Sequence, residues 1–176
     1  MSIKMNYNQY NDLMDFAKRF VAKPGRFRPI LEHIRLTVKG KVAEAESLDG
    51  FRAGTIMIPL IASDEDGVMQ IPVTPKLKKQ DNFAIITDDE NEVKIETATG
   101  ARMYRKIEGD FPDVSKVYPT DLPENSIAFN PMLLAEALMA FSGEQHVVVE
   151  YHGEFNPLVI KGKSGATKAL VLPARR

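Results

Sequence analysis

The strongest constraint on this chain is a switch of hydrophobic period that happens twice. From about Asn8 to Ala22, the residues Tyr10, Leu13, Ala17, Phe20 and Val21 recur at three- and four-residue spacing, which predicts an amphipathic helix. Lys23-Pro-Gly ends it, because proline disfavours helical geometry at the preceding residue and glycine tolerates the turn. The period then drops to two. Ile30–Val38, Val42–Ser47, Phe51–Pro59 and Val68–Val73 read as short strands, with Lys39-Gly-Lys as a tight turn between the first pair. Phe83–Thr87, Val93–Thr97 and Arg102–Ile107 read as a further meander, broken by Asp, Asn and Glu turns and by Ala-Thr-Gly. The helical period returns at Pro131–Phe141. There Asn130 is the N-cap, Pro131 takes the first helical position, and Leu133, Leu134, Ala137, Leu138 and Phe141 form a stripe expected to be buried. Val147–Tyr151, Leu158–Lys161 and Ala169–Pro173 complete a last meander.

This order predicts an α+β fold of antiparallel β-meanders, each with a packed helix. Tyr118–Asn125, with two prolines, reads as a linker that divides the chain into residues 1–120 and 121–176. The two helix-led segments share only their pattern, so any repeat is structural.

At 176 residues, 44% hydrophobic and 27% charged, the chain has the composition of an ordinary folded protein. It has no cysteine, which excludes disulfides and thiolate metal sites and fits a reducing compartment. Met1-Ser-Ile-Lys-Met-Asn lacks a signal-peptide core, and no apolar run approaches membrane-spanning length. A cytosolic protein without membrane contact is the expectation. The net charge of −1 conceals a gradient: Lys18, Arg19, Lys23, Arg26, Arg28 and Arg35 face a single acid, Glu32, whereas residues 88–96 are strongly acidic. Such a split suits one phosphate-facing surface, although composition alone favours a solvated face.

Catalytic signatures are missing. His33, His146 and His152 are too far apart for a recognisable metal spacing. Asp64-Glu-Asp-Gly lacks the alternating oxygens and closing Glu of a calcium loop. There is no P-loop, dinucleotide fingerprint or nucleophile elbow. The reading is a non-catalytic protein with no cofactor and no metal.

Three segments carry a family resemblance in the right order. They are Ile30-Leu-Glu-His-Ile with Leu48-Asp-Gly-Phe-Arg; Ile107-Glu-Gly-Asp-Phe-Pro-Asp with Val117-Tyr-Pro; and Asn156-Pro-Leu-Val-Ile-Lys followed by Ala169-Leu-Val-Leu-Pro-Ala-Arg. Together they resemble the bacterial DNA polymerase III beta subunit, the DNA sliding clamp, in a shortened and divergent form. The resemblance implies a DNA-clamp-like fold: helices line a hole and sheets form the outer surface. It implies that residues 1–120 match the middle clamp domain, with the second helix reduced to Thr74-Pro-Lys-Leu-Lys-Lys-Gln. Residues 121–176 match the latter half of the last domain. A full chain of the family has three domains, so a chain of about one and a half would need roughly four copies for a six-domain ring.

The resemblance further implies a hydrophobic cleft that docks Leu- or Phe-containing peptides from DNA polymerase and the clamp loader. Carried over, its residues are Leu31, Leu48, Gly50, Phe51 and Arg52; Pro112 and Val117; Asn130 and Leu133; and Phe155, Pro157, Leu172 and Pro173. Phe51 stands where the family has His, Ala174 where it has a larger residue, and Arg176 where it ends in Leu, which bears on the peptide preferred. Double-stranded DNA would meet Lys23, Arg26 and Arg28 on the loop after the first helix, a surface distinct from the cleft in the family. Phe27 on that loop is either a packing anchor or a platform for a base. Three functions remain open at this point: a processivity factor that tethers replication proteins on DNA; a clamp-like module that sequesters clamp-binding proteins without encircling DNA; or, if the three matches are chance, a β-rich ligand-binding or structural domain.

Overall fold

The structure is a computed structural model that describes residues 1–174. It divides into two compact units, Met1–Tyr118 and the chain from Pro119 onward. Unit 1 contains β1 (Ser2–Asn6), α1 (Tyr7–Ala17), β2 (His33–Lys39), β3 (Val42–Leu48), β4 (Ala53–Pro59), β5 (Ala62–Ser63), β6 (Gly67–Pro72), β7 (Phe83–Asp88), β8 (Glu92–Thr97) and β9 (Gly100–Arg105). Unit 2 contains α2 (Pro131–Met139), β10 (Val147–Glu150), β11 (Leu158–Gly162) and β12 (Lys168–Val171).

All strand pairings in unit 1 are antiparallel, in two sheets ordered β5-β1-β7-β8-β9 and β4-β3-β2-β6. The order has an exchange in it. β1 leaves the meander that follows α1 and pairs with β7, placing Met5 opposite Ala84. β6 in turn pairs with β2, placing Ile34 opposite Ile71. Alternation along the strands then sends Ile3 and Met5, Ile34, Leu36 and Val38, Met69 and Ile71, Ala84 and Ile86, and Val93 and Ile95 into one core. α1 adds Tyr10, Leu13, Met14 and Ala17 to the same core.

α1 begins at a capping box, Asn6 Oδ1 accepting from Gln9 N–H at 2.9 Å and Gln9 Oε1 from Asn6 N–H at 2.8 Å. It ends at Ala17, five residues earlier than the periodicity predicts. The apolar residues beyond are used elsewhere. Phe20 stacks on Phe16 with ring centroids 5.0 Å apart, and Ala22 N–H donates to Leu31 C=O at 2.9 Å, which turns the chain back. Gly54 on β4 accepts this close approach: a Cβ there would meet the Phe20 ring at 2.6 Å. On the helix's other side, Asn11 holds both backbone groups of Leu77, at 2.7 and 3.3 Å, and Lys76 pairs with Asp15 at 2.8 Å. Residues 74–78 thus strap α1, followed by a single 3-10 turn at Lys79–Asp81.

The remaining strands lie within a few residues of their predicted positions, with three departures. Ile30–Glu32 belongs to a 3-10 turn at Pro29–Glu32, not to β2. β1 and β5 were not predicted. In unit 2, β10-β11-β12 form a three-stranded antiparallel sheet against which α2 packs. The stripe expected to be buried on α2 is not: no residue of the helix is buried, and Leu133 and Leu138 are exposed. Only Phe141, just past the helix, reaches the interior, where Ile160 and Val171 are the other buried hydrophobics of this unit among the described residues.

Candidate peptide-binding and DNA-facing surfaces

The loop after α1 is closed by the Ala22–Leu31 bond and by Glu32, whose Oε1 accepts from Gly25 N–H at 3.0 Å. Tying both ends inward leaves Lys23, Arg26 and Arg28 exposed, and none of them forms an ion pair among the described residues. Three cations on a constrained loop can meet phosphates through charge without reading bases. Glu32, the one acid in this basic stretch, is directed into the loop as a structural acceptor.

The turn at residues 48–52 is built as its sequence suggests. Gly50 takes φ +88°, and Asp49 Oδ1 accepts from the N–H groups of Phe51 and Arg52, both at 2.9 Å. Asp49 Oδ2 also receives Arg52 Nε at 3.0 Å and Nη2 at 2.7 Å. Burial opposes the charge on Asp49, but the Arg52 guanidinium and the two N–H donors outweigh it, holding the carboxyl below its ordinary range. Arg52 is therefore largely engaged within its own turn. Phe51 projects outward, 81% exposed. Its ring meets Phe27 edge-on, centroids 5.8 Å apart. Phe27 packs edge-on against Phe51, which sets the loop beside the turn that carries Phe51.

Leu31 is interior, in a small cluster with Ala22 and Ile30 against which Leu48 and Phe111 pack. The connector Phe111-Pro-Asp is pinned by Val114, buried at the 3-10 turn Val114–Lys116, which Asp113 caps through Ser115 N–H at 3.1 Å. Pro112 is half-buried beside it, and Val117 is exposed.

In unit 2 the predicted residues partly converge. Asn130 Oδ1 caps α2, accepting from Met132 N–H at 2.9 Å and Leu133 N–H at 3.4 Å. The turn at 152–156, with Gly153 at φ +99° and Asn156 Nδ2 donating to His152 C=O at 2.6 Å, holds Phe155 outward at 86% exposure. Past β12, Ala174 N–H donates to Ala128 C=O at 2.8 Å, drawing the chain end beside residues 126–128. Between them opens a cavity of about 540 Å³ lined by Ser126, Ile127, Ala128, Glu154, Phe155, Leu172, Pro173 and Ala174. Phe155, Leu172 and Pro173 are brought together here. Asn130, Leu133 and Pro157 do not line this cavity.

Ser126, Ile127, Ala128 and Glu154 were missed by sequence reasoning. The available signal was the apolar run Ile127-Ala-Phe directly before the Asn130 cap, which predicts an extended entry into the helix. Arg176, which ends the chain, lies outside the described residues.

The acids of Asp64-Glu-Asp are taken up separately. Asp64 accepts from Ser2 N–H at 2.7 Å, Asp66 from Gly40 N–H at 2.6 Å, and Glu65 pairs with the N-terminal ammonium at 3.3 Å. Among the described residues no helix is long and apolar enough to cross a membrane.

No protein-family model matches the sequence, and no curated protein matches it. Solved structures do. The DNA polymerase sliding clamp of Bacillus subtilis aligns over 99% of this chain at TM-score 0.77 and 16% identity, using 50% of its own length. The DNA polymerase III beta chain of Streptococcus pneumoniae TIGR4 aligns over 99% at TM-score 0.79 and 16% identity, again using 50% of its own length. A Helicobacter pylori beta clamp bound to a DNA ligase peptide aligns over 100% at TM-score 0.68 and 17% identity, using 53% of its length. The chain therefore has the fold of the bacterial sliding clamps and spans about half the length of those structures.

Proposed function

We propose that this chain is a non-catalytic processivity module that binds duplex DNA without sequence preference and tethers replication proteins by a short peptide. The observation that carries the reading is the unit 2 cavity walled by Phe155, Leu172 and Pro173 in a chain of clamp fold. A concave site that sets Phe155, Leu172 and Pro173 beside Ser126 and Glu154 suits the Leu or Phe anchor of an extended peptide, with polar groups at hand for its backbone. The peptide-bound Helicobacter pylori clamp, similar in fold, supports this ligand class. Phe51 and Val117 offer further exposed apolar contact area on unit 1. Lys23, Arg26 and Arg28 supply the contact to DNA phosphates, and a homo-oligomeric ring of about four copies would supply the topology. Such a protein works in the cytoplasm and needs no cofactor.

The test is peptide binding by fluorescence anisotropy. Leu172→Ala should weaken a Leu/Phe-containing polymerase peptide by about 1–3 kcal/mol. Unchanged affinity in a folded variant would remove the pocket from the reading. In a second arm, replacing Lys23, Arg26 and Arg28 together by Ala should flatten log K against log salt by about 2–3 units while leaving peptide affinity within twofold or so. The formal charge of −1 favours one alternative, a module that sequesters clamp-binding proteins without encircling DNA. Peptide binding with no DNA affinity at low salt would select it.

A further inference from the structure

Unit 1 shows how a helix-led meander of this chain is completed. Each of its meanders, β2-β3-β4 and β7-β8-β9, receives an additional strand from the other half: β6 onto β2, and β1 onto β7. α1 lies over both halves, with its apolar side covered. Unit 2 contains one such half. It has an entry segment at residues 127–129 that forms no strand of its own, then α2, then β10-β11-β12, and β10 is an open sheet edge among the described residues.

Three observations show what is unsatisfied there. First, α2 leaves Met132, Leu133, Leu138 and Met139 exposed, apolar residues that the sheet beneath it does not cover. Second, β10 reads Val-Val-Val-Glu, with Val148 and Val149 more than half exposed on a strand that carries no edge-blocking lysine or proline. Third, Ala128 C=O accepts from Ala174 N–H, whereas the backbone groups of Ile127 and Phe129 take no part in that pairing. They have no backbone partner among the described residues. An open edge and a segment lacking a partner are complementary, but one chain presents both.

The exposed area agrees. A compact monomer of 19.7 kDa would expose about 8,600 Å² by size scaling, and two separate bodies with the masses of the two units about 10,200 Å². This chain exposes 11721 Å². The surplus of about 1,500 Å², even against separate bodies, exceeds the roughly 800 Å² per partner that a stable interface buries.

We propose that unit 2 is completed by unit 2 of a second copy of this chain. Residues 127–129 of each copy add to β10 of the other, and the two α2 helices pack apolar side to apolar side across a twofold axis. Because one chain presents both the segment and the edge, the contact is self-complementary, as an isologous dimer requires. It reproduces between copies the strand exchange that unit 1 makes within itself. Two chains joined in this way carry three completed modules, which gives the ring reading its building block.

The test is analytical ultracentrifugation of the full chain over a wide concentration range, with hydrogen exchange to locate the contact. The expected result is a dimer whose amides at 127–129 and 147–150 gain protection as dimer forms. Leu138→Glu should raise its dissociation constant by about a hundredfold, because the interface would bury an unpaired carboxylate. Val148→Lys, an edge charge outside α2, should weaken it independently should the first variant fold poorly. A chain that is monomeric throughout overturns the proposal. So does a dimer that survives both variants, or one protected only on unit 1. Leu172→Ala should leave the dimer intact, so loss of peptide binding and loss of pairing are separable outcomes.

Discussion

In unit 1, α1 buries Tyr10, Leu13, Met14 and Ala17 together with residues of both sheets, whereas in unit 2, α2 buries none of its residues. The two helices do not differ because α2 is the more polar. Its residues Met132, Leu133, Leu134, Leu138 and Met139 are as apolar as anything in α1. They differ because unit 1 has two meanders that exchange strands and enclose a shared core, while unit 2 has one. A hydrophobic stripe stabilises a fold only in proportion to the area removed from water, and that needs an opposing surface. The apolar pattern of a helix therefore records what it is meant to face. Whether that surface lies in the same chain is a separate matter.

The comparison can be broken most forcefully in the two cores. Ile34 and Ile160 are both fully buried, one in each unit. Ile34→Ala should destabilise unit 1 by about 2–5 kcal/mol, since dense packing around it cannot collapse onto the cavity. Ile160→Ala should fall at the lower end of that range, because its thinly covered sheet can relax. Urea melts that follow each unit's own hydrogen-exchange protection would read both effects. Equal losses would mean that unit 2 is as tightly packed as unit 1.

Gly54 sharpens the same contrast at the helix. Gly54→Ala places a methyl group against Phe16 and Phe20 and should destabilise unit 1 by about 1–3 kcal/mol through overpacking. A thermal midpoint unchanged from wild type would show that the two rings can swing away.

The smallest expected effect is in pH. Burial holds the His33 imidazole below its ordinary value of 6.5, although Pro29 and Glu32 act in the opposite sense. The unfolded chain therefore binds the proton more readily. Stability from neutral His33 is complete above its ordinary value and declines as pH falls through that value toward the folded one. Unit 1 should lose stability as pH falls below the ordinary imidazole value of 6.5, and His33→Leu should remove that slope. A slope that persists in the variant would assign the effect to other groups.

Much of this architecture was legible in local pattern. Alternation in Leu36 and Val38, in Ala84 and Ile86, and in Val93 and Ile95 marks strands buried on one face, and that signal does not depend on which strand lies alongside. Asn130-Pro likewise marks a helix start because cap and first turn are neighbours in sequence. The Asp49-Gly50 turn is local in the same way. β1 escaped notice because Ile3 and Met5 supply only two alternations between polar residues, and β5 because two residues carry no period. α1 was read too long because Phe20 and Ala22 continue its spacing while packing elsewhere.

The sequence by itself determined the elements, their order, and the apolar residues each must cover, since these follow from periods of two and 3.6 within a single segment. Tertiary structure alone decided which meander receives which strand, that Leu31 is interior while Phe51 is exposed, and that Phe27 and Phe51 meet. It also decided that Phe155, Leu172 and Pro173 share a cavity with residues 126–128, which no spacing in the sequence joins. The physical reason is that side-chain period is a property of neighbouring residues, whereas burial is a property of a pair of surfaces. A single segment specifies only one of the two.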